Sequence, residues 1–313
     1  MEGITMTFGI DTKGVYPIAA TPFHPDGVLD TASIDRMIDF YHEAGSTGIT
    51  ILGIMGEAPK LEPEESLAIV KQVVARSKIP VVVGVSAPGF AAMRRLARDA
   101  MDLGAGGVMI APAPHLRTDD QITNYFNQAV EAVGTDVPWA LQDYPLTLTV
   151  QMSVPVISRI MADHASCIML KAEDWPGLEK LSALRKAQAE GRLRPFSILT
   201  ANAGLFLDFE PERGSDGAMT GYAFPDMLVE LDALHRKGER DAAHDLFDLH
   251  LPLIRYEQQP VVGLAVRKHV LMRRGIISSD TQRKPWPALS ATAREEVDYL
   301  LSRIARKDPR AAI

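Results

Sequence analysis

The sequence predicts an α/β protein, and within that class a (β/α)8 TIM barrel with a helical extension at its C-terminus. Three observations favour this fold: eight short apolar runs, amphipathic segments between them, and a length of 313 residues. Short runs rich in Val, Ile, Leu and Met are typical of parallel strands that are buried on both faces. A barrel takes roughly 250 residues, so the chain also has room for appended helices.

The apolar runs alternate regularly with segments that carry helix signals. Asp30 and Thr31 precede a segment that stops at Gly45, Pro63 stands at a predicted first turn, and Thr118 begins a capping box. No G-x-G-x-x-G follows the first run, which disfavours a doubly wound nucleotide-binding sheet. The eight predicted strands are residues 15–21, 48–53, 81–86, 107–111, 139–142, 167–171, 196–200 and 217–220.

After residue 238 the strand pattern stops and only helical patterns follow. We expect helices over residues 239–255, 257–274 and 290–306, with prolines interrupting the chain before the last one. The predicted organisation is therefore a barrel over residues 1–237 that carries the active site, followed by a helical appendage over residues 238–313.

Composition excludes several classes of function. The net charge is −7 and there is no dense basic run, so we expect no nucleic-acid partner. The single cysteine, Cys167, rules out an internal disulfide, and the scattered histidines predict no metal site. No apolar run is long enough to cross a membrane, and the N-terminal residues lack the pattern of a signal peptide. We therefore expect a cytoplasmic protein.

Lys171 is the strongest catalytic candidate that the pattern provides. It ends the sixth predicted strand, and barrel active sites lie at the carboxyl ends of strands. Burial disfavours the charged form of a lysine, which favours attack of the amine on a carbonyl. The alternative at this point is a structural ion pair with Glu173 or Asp174.

Polar side chains or glycines also follow three other predicted strands. Gln142, Asp143 and Tyr144 end the fifth strand and suit hydrogen bonding to a polar ligand, although plain turn chemistry explains them equally well. The segments 53–57 and 218–221 contain glycines that allow backbone amides to approach an anion, but an ordinary turn is the simpler interpretation of each.

These residues together resemble the dihydrodipicolinate synthase and N-acetylneuraminate lyase superfamily of class I aldolases and lyases. The resemblance extends from Gly14 through the C-terminal helices and rests on four motifs. They are Gly14 with Ala20-Thr21-Pro22-Phe23, Gly53-x-x-Gly56-Glu57, Lys171 at the end of strand six, and Gly217-Ala218-Met219-Thr220-Gly221. The family's strand-six lysine forms a Schiff base, so the resemblance implies this role for Lys171 and requires no cofactor.

The chain departs from the family members that make dihydrodipicolinate. Gly-Thr-Thr-Gly-Glu is replaced by Gly-Ile-Met-Gly-Glu at residues 53–57, and Gln142 stands where those enzymes have a tyrosine. Their Pro-Tyr-Tyr stretch is replaced by residues 112–115, which end in His115. Gln-Asp-x-Pro, Gly-Ala-Met-Thr-Gly and the segment 251–257 are most similar to the branch of L-2-keto-3-deoxyarabonate dehydratases.

The resemblance thus implies a Schiff-base lyase that dehydrates a 2-keto-3-deoxy sugar acid. Two alternatives stay open: a pyruvate-dependent aldolase of the dihydrodipicolinate synthase type, and a barrel that binds a sugar acid without catalysis. We expect a small 2-oxo acid or sugar acid as ligand and a homotetramer or homodimer as the assembly. The expected catalytic residues are Lys171 and Gln142, and the expected substrate-binding residues are Thr21, Met55, Gly56, Glu57, Asp143, Glu173, Thr220 and Gly221.

Overall fold

A computed structural model describes residues 8–313 and confirms the (β/α)8 barrel. Eight strands form one sheet in the order β1-β8-β7-β6-β5-β4-β3-β2, and every pairing is parallel. A parallel bridge between Ile18 and Thr50 joins the two ends of this order and closes the barrel. The strands are β1 (Gly14–Val15), β2 (Ile49–Ile51), β3 (Val81–Gly84), β4 (Gly107–Ile110), β5 (Trp139–Asp143), β6 (Cys167–Ala172), β7 (Ser197–Thr200) and β8 (Gly217–Ala218).

The first and last strands are shorter than the sequence predicts. Residues 15–21 contain Pro17, which has no N–H to donate to a ladder, so regular pairing stops at Val15. The chain nevertheless stays in contact with its neighbours, because the Ile18 amide donates to the Thr220 carbonyl at 3.0 Å. The barrel wall therefore continues beyond the regular part of β1 and β8.

The helices that follow the strands surround the barrel, and several of them begin where a side chain caps the first turn. Asp30 accepts from the Ser33 amide at 2.9 Å, and Thr118 and Gln121 form the predicted capping box. The helices are α1 (Thr31–Glu43), α2 (Pro63–Arg76), α3 (Phe90–Asp102), α4 (Asp119–Val133), α5 (Pro145–Leu148), α6 (Val154–Asp163), α7 (Leu178–Ala189), α8 (Pro225–Lys237), α9 (Arg240–Glu257), α10 (Gly263–Arg273) and α11 (Ala291–Ile304).

The barrel interior is a separate apolar cluster, and its membership shows which side chains face the axis. Met109 on β4, Ala140 on β5, Met169 on β6 and Leu199 on β7 belong to this cluster, together with Met219 just after β8. Since side chains alternate along a strand, residues two positions further on face the same way. This rule places Gln142 and Lys171 above the interior cluster, at the carboxyl ends of β5 and β6.

The C-terminal helices pack on the barrel through their own apolar cluster. That cluster joins Val15 and Ala218 of the barrel wall to Phe247 on α9 and Val266 on α10. Helix α8 ends at Lys237, with Gly238 in a left-handed conformation as its C-cap, and α9 begins at Arg240. Helix α10 begins at Gly263 instead of residue 257, because residues 258–262 form an irregular loop.

Two general features complete the description of residues 8–313. None of their helices is both long enough and apolar enough to span a bilayer. Cys167 is completely buried at the start of β6, and burial raises the pKa of its thiol well above the ordinary value.

Closure of the barrel between β1 and β8 depends on Gly217, which gives a test of the fold. Its φ is +144°, and an added Cβ would lie 2.0 Å from the Gly14 carbonyl oxygen. We expect Gly217→Ala to lower the free energy of unfolding by roughly 2–4 kcal/mol, because it combines backbone strain with a steric overlap. Urea unfolding measures this loss.

Gly9→Ala is the matched control, because nothing lies within 4 Å of the added methyl group and its φ is not positive. We expect this control to stay within about 0.5 kcal/mol of the wild type. Equal stability of the two variants would contradict the close approach of β1 and β8.

Candidate active site

Lys171 is buried at the carboxyl end of the barrel. Its Nζ lies 2.7 Å from Oε1 of Glu173, and the two residues are only 4% and 6% exposed. Both side chains face the barrel axis, because they are two positions apart and Lys171 follows Met169 in the same alternation. The ion pair that the sequence offered as an alternative is thus present, and it places a carboxylate directly on the candidate nucleophile.

Gln142 completes a group of three buried polar side chains. It lies beside Lys171 in the register of β5 and β6, and its Nε2 donates to the same Oε1 of Glu173 at 2.7 Å. One carboxylate oxygen therefore accepts from an amide and contacts an ammonium group. Because a neutral amide does not titrate usefully, Glu173 is the group of the three that can exchange protons with Lys171.

Asp143 lies behind this group and not within it. Its side chain points toward the helices. There, Nζ of Lys180 on α7 lies 2.8 Å from Oδ2 of Asp143, and it also lies 2.5 Å from the carboxylate of Asp174. Burial raises the pKa of Asp143 to about 6, although the Lys180 ammonium acts in the opposite direction. The expected substrate-binding residue Asp143 is therefore separated from the barrel axis, and its contacts fix β5 and β6 to α7.

The turn after β2 contains two amides without an acceptor in the described part of the chain and packs against the interior cluster. Thr21 donates from its hydroxyl to the Gly56 carbonyl at 2.5 Å, which holds the turn over residues 54–56 in place. The amides of Ile54 and Met55 donate to no acceptor among residues 8–313. Met55 packs against the interior cluster, so this edge of the turn lies next to the barrel axis.

The carboxylate of Glu57, which the sequence predicted at the substrate, pairs with two lysines instead. Its φ of +55° turns the chain, and its carboxylate contacts Lys60 at 2.9 Å and Lys268 on α10 at 2.5 Å. The Arg283 amide donates to the same carboxylate at 3.0 Å. Glu57 thus connects the barrel to the C-terminal helices, and the structure does not bring its side chain to Lys171.

After β8, Thr220 and Gly221 lie on opposite faces of the barrel wall. Thr220 alternates with the interior Met219, so its side chain faces the helices, and its hydroxyl is buried without a hydrogen-bond partner among residues 8–313. Gly221 faces the axis again. Its carbonyl accepts a hydrogen bond from Arg267 on α10 at 2.7 Å.

Tyr144, which the sequence offered as a possible ligand contact, and Arg267, which it did not single out, are neighbours of the site. Tyr144 is half-buried two positions beyond Gln142, so it faces the axis. Burial raises the pKa of its hydroxyl; the charge of Glu173 raises that pKa further and the charge of Arg267 lowers it. No spacing signal connects Arg267 to the barrel, because it lies about a hundred residues after Lys171. His115 is exposed, and residues 8–313 contain no cluster that suits a metal ion.

A small cavity lies on the helix side of β6 and β7, separated from the site by the barrel wall. Thr200, Asp174 and Lys180 line it together with Glu210. Glu210 is buried, one of its carboxylate oxygens has no partner within residues 8–313, and burial raises its pKa to about 8. We therefore expect Glu210 to be protonated at neutral pH.

The fold and the buried lysine define a class I lyase built on a (β/α)8 barrel. The sequence model of the Dihydrodipicolinate synthetase family matches residues 11–304, and the chain belongs to this family. It is 28% identical over 303 residues, 95% of each chain, to L-2-keto-3-deoxyarabonate dehydratase of Azospirillum brasilense. It is 31% identical to 4-hydroxy-tetrahydrodipicolinate synthase of Gluconacetobacter diazotrophicus, over 74% of this chain and 81% of that one.

Among solved structures, the chain is similar to dihydrodipicolinate synthase from Rhodopseudomonas palustris. The identity is 63%, the TM-score is 0.94, and the match covers 95% of this chain and 99% of that one. The relatives thus include both a dehydratase and synthases, and their names alone do not assign one substrate to this chain.

The raised pKa of Glu210 predicts a pH dependence of stability. The folded protein holds this proton up to about pH 8, whereas the unfolded chain releases it near the ordinary pKa of about 4.5. Stability should therefore fall as the pH rises between these two values, by up to about 1.4 kcal/mol per pH unit from this group. Glu210→Gln should lack this decline, and parallel urea-unfolding profiles of the two proteins from pH 5 to 8 would contradict the buried, protonated carboxyl.

Proposed function

We propose that this protein is a hydro-lyase that dehydrates a 2-keto-3-deoxy sugar acid through a Schiff base on Lys171. The observation that carries the proposal is the position of the Glu173 carboxylate, 2.7 Å from Lys171 Nζ and 2.7 Å from Gln142 Nε2. Glu173 is therefore an acid–base group beside the Lys171 amine, in a site where Gln142 replaces the tyrosine of the synthases. The proposal agrees with the similarity to an L-2-keto-3-deoxyarabonate dehydratase.

Schiff-base formation begins with a proton transfer from Lys171 to Glu173. The neutral amine attacks C2 of the 2-oxo acid and forms a carbinolamine. Glu173 then protonates its hydroxyl, water leaves, and an iminium remains on Lys171. The low exposure of both groups keeps water from competing for these protons, and their contact removes the need for a diffusing base.

Dehydration follows from the electron demand of the iminium. Glu173 removes a proton from C3, and the electron pair of that C–H bond forms the enamine. The enamine then breaks the C4–O bond, and protonated Glu173 returns its proton to the departing hydroxide as water. Hydrolysis of the unsaturated iminium frees Lys171. A hydroxyl at C5 then allows the product to tautomerise to a 2-oxo acid semialdehyde.

The turn after β2 supplies the binding site that we propose for the substrate carboxylate. The amides of Ile54 and Met55 have no acceptor among residues 8–313, the Met55 side chain packs against the interior cluster, and adjacent amides in a turn bind anions well. Gln142 fixes the orientation of Glu173 and offers its amide to the substrate. Assembly as a homodimer or homotetramer is part of the proposal, as the family resemblance implies.

Carbon–carbon bond cleavage or formation is the second candidate function. It is favoured by the 63% identity to a structure named dihydrodipicolinate synthase. An aldolase would release pyruvate from a sugar acid, whereas the dehydratase would release a semialdehyde and no pyruvate. Product analysis by mass spectrometry distinguishes the two.

Borohydride trapping tests the role of Lys171. Incubation with pyruvate or with 2-keto-3-deoxyarabonate, followed by reduction, should give a stable adduct on the peptide that contains Lys171, because reduction converts the iminium to a secondary amine. Lys171→Ala should give no adduct and no turnover while it keeps the circular dichroism of the wild type. An adduct on another lysine, or none with either compound, would overturn the Schiff-base mechanism.

Glu173→Gln separates imine formation from proton transfer. At equilibrium the variant should still trap pyruvate, because Lys171 is intact. Exchange of the pyruvate C3 hydrogens with D2O, followed by NMR, should slow by about 10²- to 10⁴-fold because the base is lost.

Glu179→Gln is the control for this variant, since that carboxylate is 85% exposed on α7 and, within residues 8–313, pairs with Arg213 alone. It should exchange at the wild-type rate. Unchanged exchange in Glu173→Gln would assign the base to another group.

A further inference from the structure

The guanidinium group of Arg267, on helix α10, lies in the wall of the barrel mouth. Arg267 is 3% exposed and is held by two contacts: its Nε donates to Glu257, and its Nη2 donates to the Gly221 carbonyl at 2.7 Å. Its Nη1 is buried and has no acceptor among residues 8–313. Arg267 therefore keeps at least one donor unused in the protein itself.

Nη1 of Arg267 occupies the space that a side chain at position 221 would fill. A Cβ added to Gly221 would lie 1.7 Å from Nη1, so glycine is needed for the guanidinium to fit. Gly221 follows Met219 in the alternation of the barrel wall, and Met219 belongs to the interior cluster. Nη1 thus lies where an inward-facing side chain would begin.

This position belongs to the layer directly outside Lys171. Tyr144 and Glu173 directly follow β5 and β6, two positions beyond Gln142 and Lys171, and continue the inward-facing alternation of these strands into that layer. The charges of Glu173 and Arg267 both act on the pKa of the Tyr144 hydroxyl, in agreement with this placement. A ligand fixed at Lys171 through C2 extends into this layer with its distal carbons.

We propose that Arg267 binds the distal end of the substrate, with Nη1 donating a hydrogen bond to an oxygen substituent beyond C4. The inference rests on the proposed function and deepens it by naming the class of substrate: a 2-oxo acid of five or more carbons with an oxygen at C5 or beyond. Glu257 already balances the charge of Arg267, so a neutral hydroxyl suits Nη1 as well as a carboxylate. Pyruvate ends at C3 and does not reach this donor.

The experiment compares three ligands that differ only at their distal ends. Isothermal titration calorimetry, carried out in the Glu173→Gln background so that 2-keto-3-deoxyarabonate is bound but not dehydrated, measures the Kd of pyruvate, of 2-keto-3-deoxyarabonate, and of its analogue without the C5 hydroxyl. Arg267→Lys keeps a positive charge beside Glu257 but lacks the forked donor. This variant should raise the Kd of 2-keto-3-deoxyarabonate by about 5- to 100-fold, in line with the loss of one hydrogen bond from a charged donor. The Kd of pyruvate and of the analogue should stay unchanged.

Arg274→Lys is the matched control, because Arg274 follows α10 directly, is 8% exposed in its side chain, and pairs with Asp226 outside the barrel mouth. It should leave the ratio of the three Kd values unchanged. Gly221→Ala is the second test variant, because its methyl group displaces Nη1, and it should give the same selective loss if Arg267→Lys does not fold.

Two results would overturn the inference. Equal weakening of all three ligands in Arg267→Lys would show that the arginine acts only by holding the Gly221 loop against Glu257. Unchanged binding of 2-keto-3-deoxyarabonate would show that Nη1 does not contact substrate. Failure of the proposed function looks different: no borohydride adduct forms in the wild type with any of these ligands, while calorimetry still reports whether Arg267 contributes to their binding.

Discussion

The contact between Lys171 and Glu173 is the interaction on which the rest of the site depends. Two charges are buried at the end of one strand, and a buried pair is tolerated only when good geometry and further hydrogen bonds compensate for lost hydration. Gln142 supplies such a hydrogen bond from the neighbouring strand. The three side chains lie close together because β5 and β6 are paired in a register that puts Gln142 beside Lys171.

A second set of buried charges attaches the C-terminal helices to the barrel mouth. Lys268 is completely buried and pairs with Glu57 of the turn after β2, while the adjacent Arg267 contacts Gly221 after β8. Two consecutive residues of α10 thus contact the ends of two strands that are neighbours of β1. The extension therefore packs on the barrel mouth, and its Lys268 contacts Glu57 in the turn after β2.

The sequence predicted the fold and the position of Lys171 because both depend on local patterns. Apolar runs mark buried strands whatever their neighbours are, and a lysine at a strand end is visible without knowledge of the pairing. Alternation along the strand also explains why Gln142 and Glu173 meet, although the sequence did not show that they share one hydrogen-bond network. Asp143 was expected at the substrate, but a strand has two faces, and only the register with β6 and the contact with Lys180 show which one it occupies.

Other features could not be predicted because they depend on contacts between distant segments. The motif at residues 53–57 drew attention to Glu57, yet its carboxylate binds residues more than two hundred positions later. Arg267 lies in a helix whose pattern indicates only that it is buried. Gly221 gave no separate signal either, since a glycine after a strand usually indicates a turn, and here it makes room for a guanidinium group.

The attachment of α10 has a consequence for how such barrels diversify. A barrel truncated at residue 237 would lose Lys268 from the turn after β2 and Arg267 from the end of β8, so catalytic and appended parts are not independent modules. Recombination between relatives at this boundary would exchange part of the binding wall together with the helices. With the role that we propose for Arg267, the ancestry of the last quarter of the chain would be a determinant of which ligands reach the lysine.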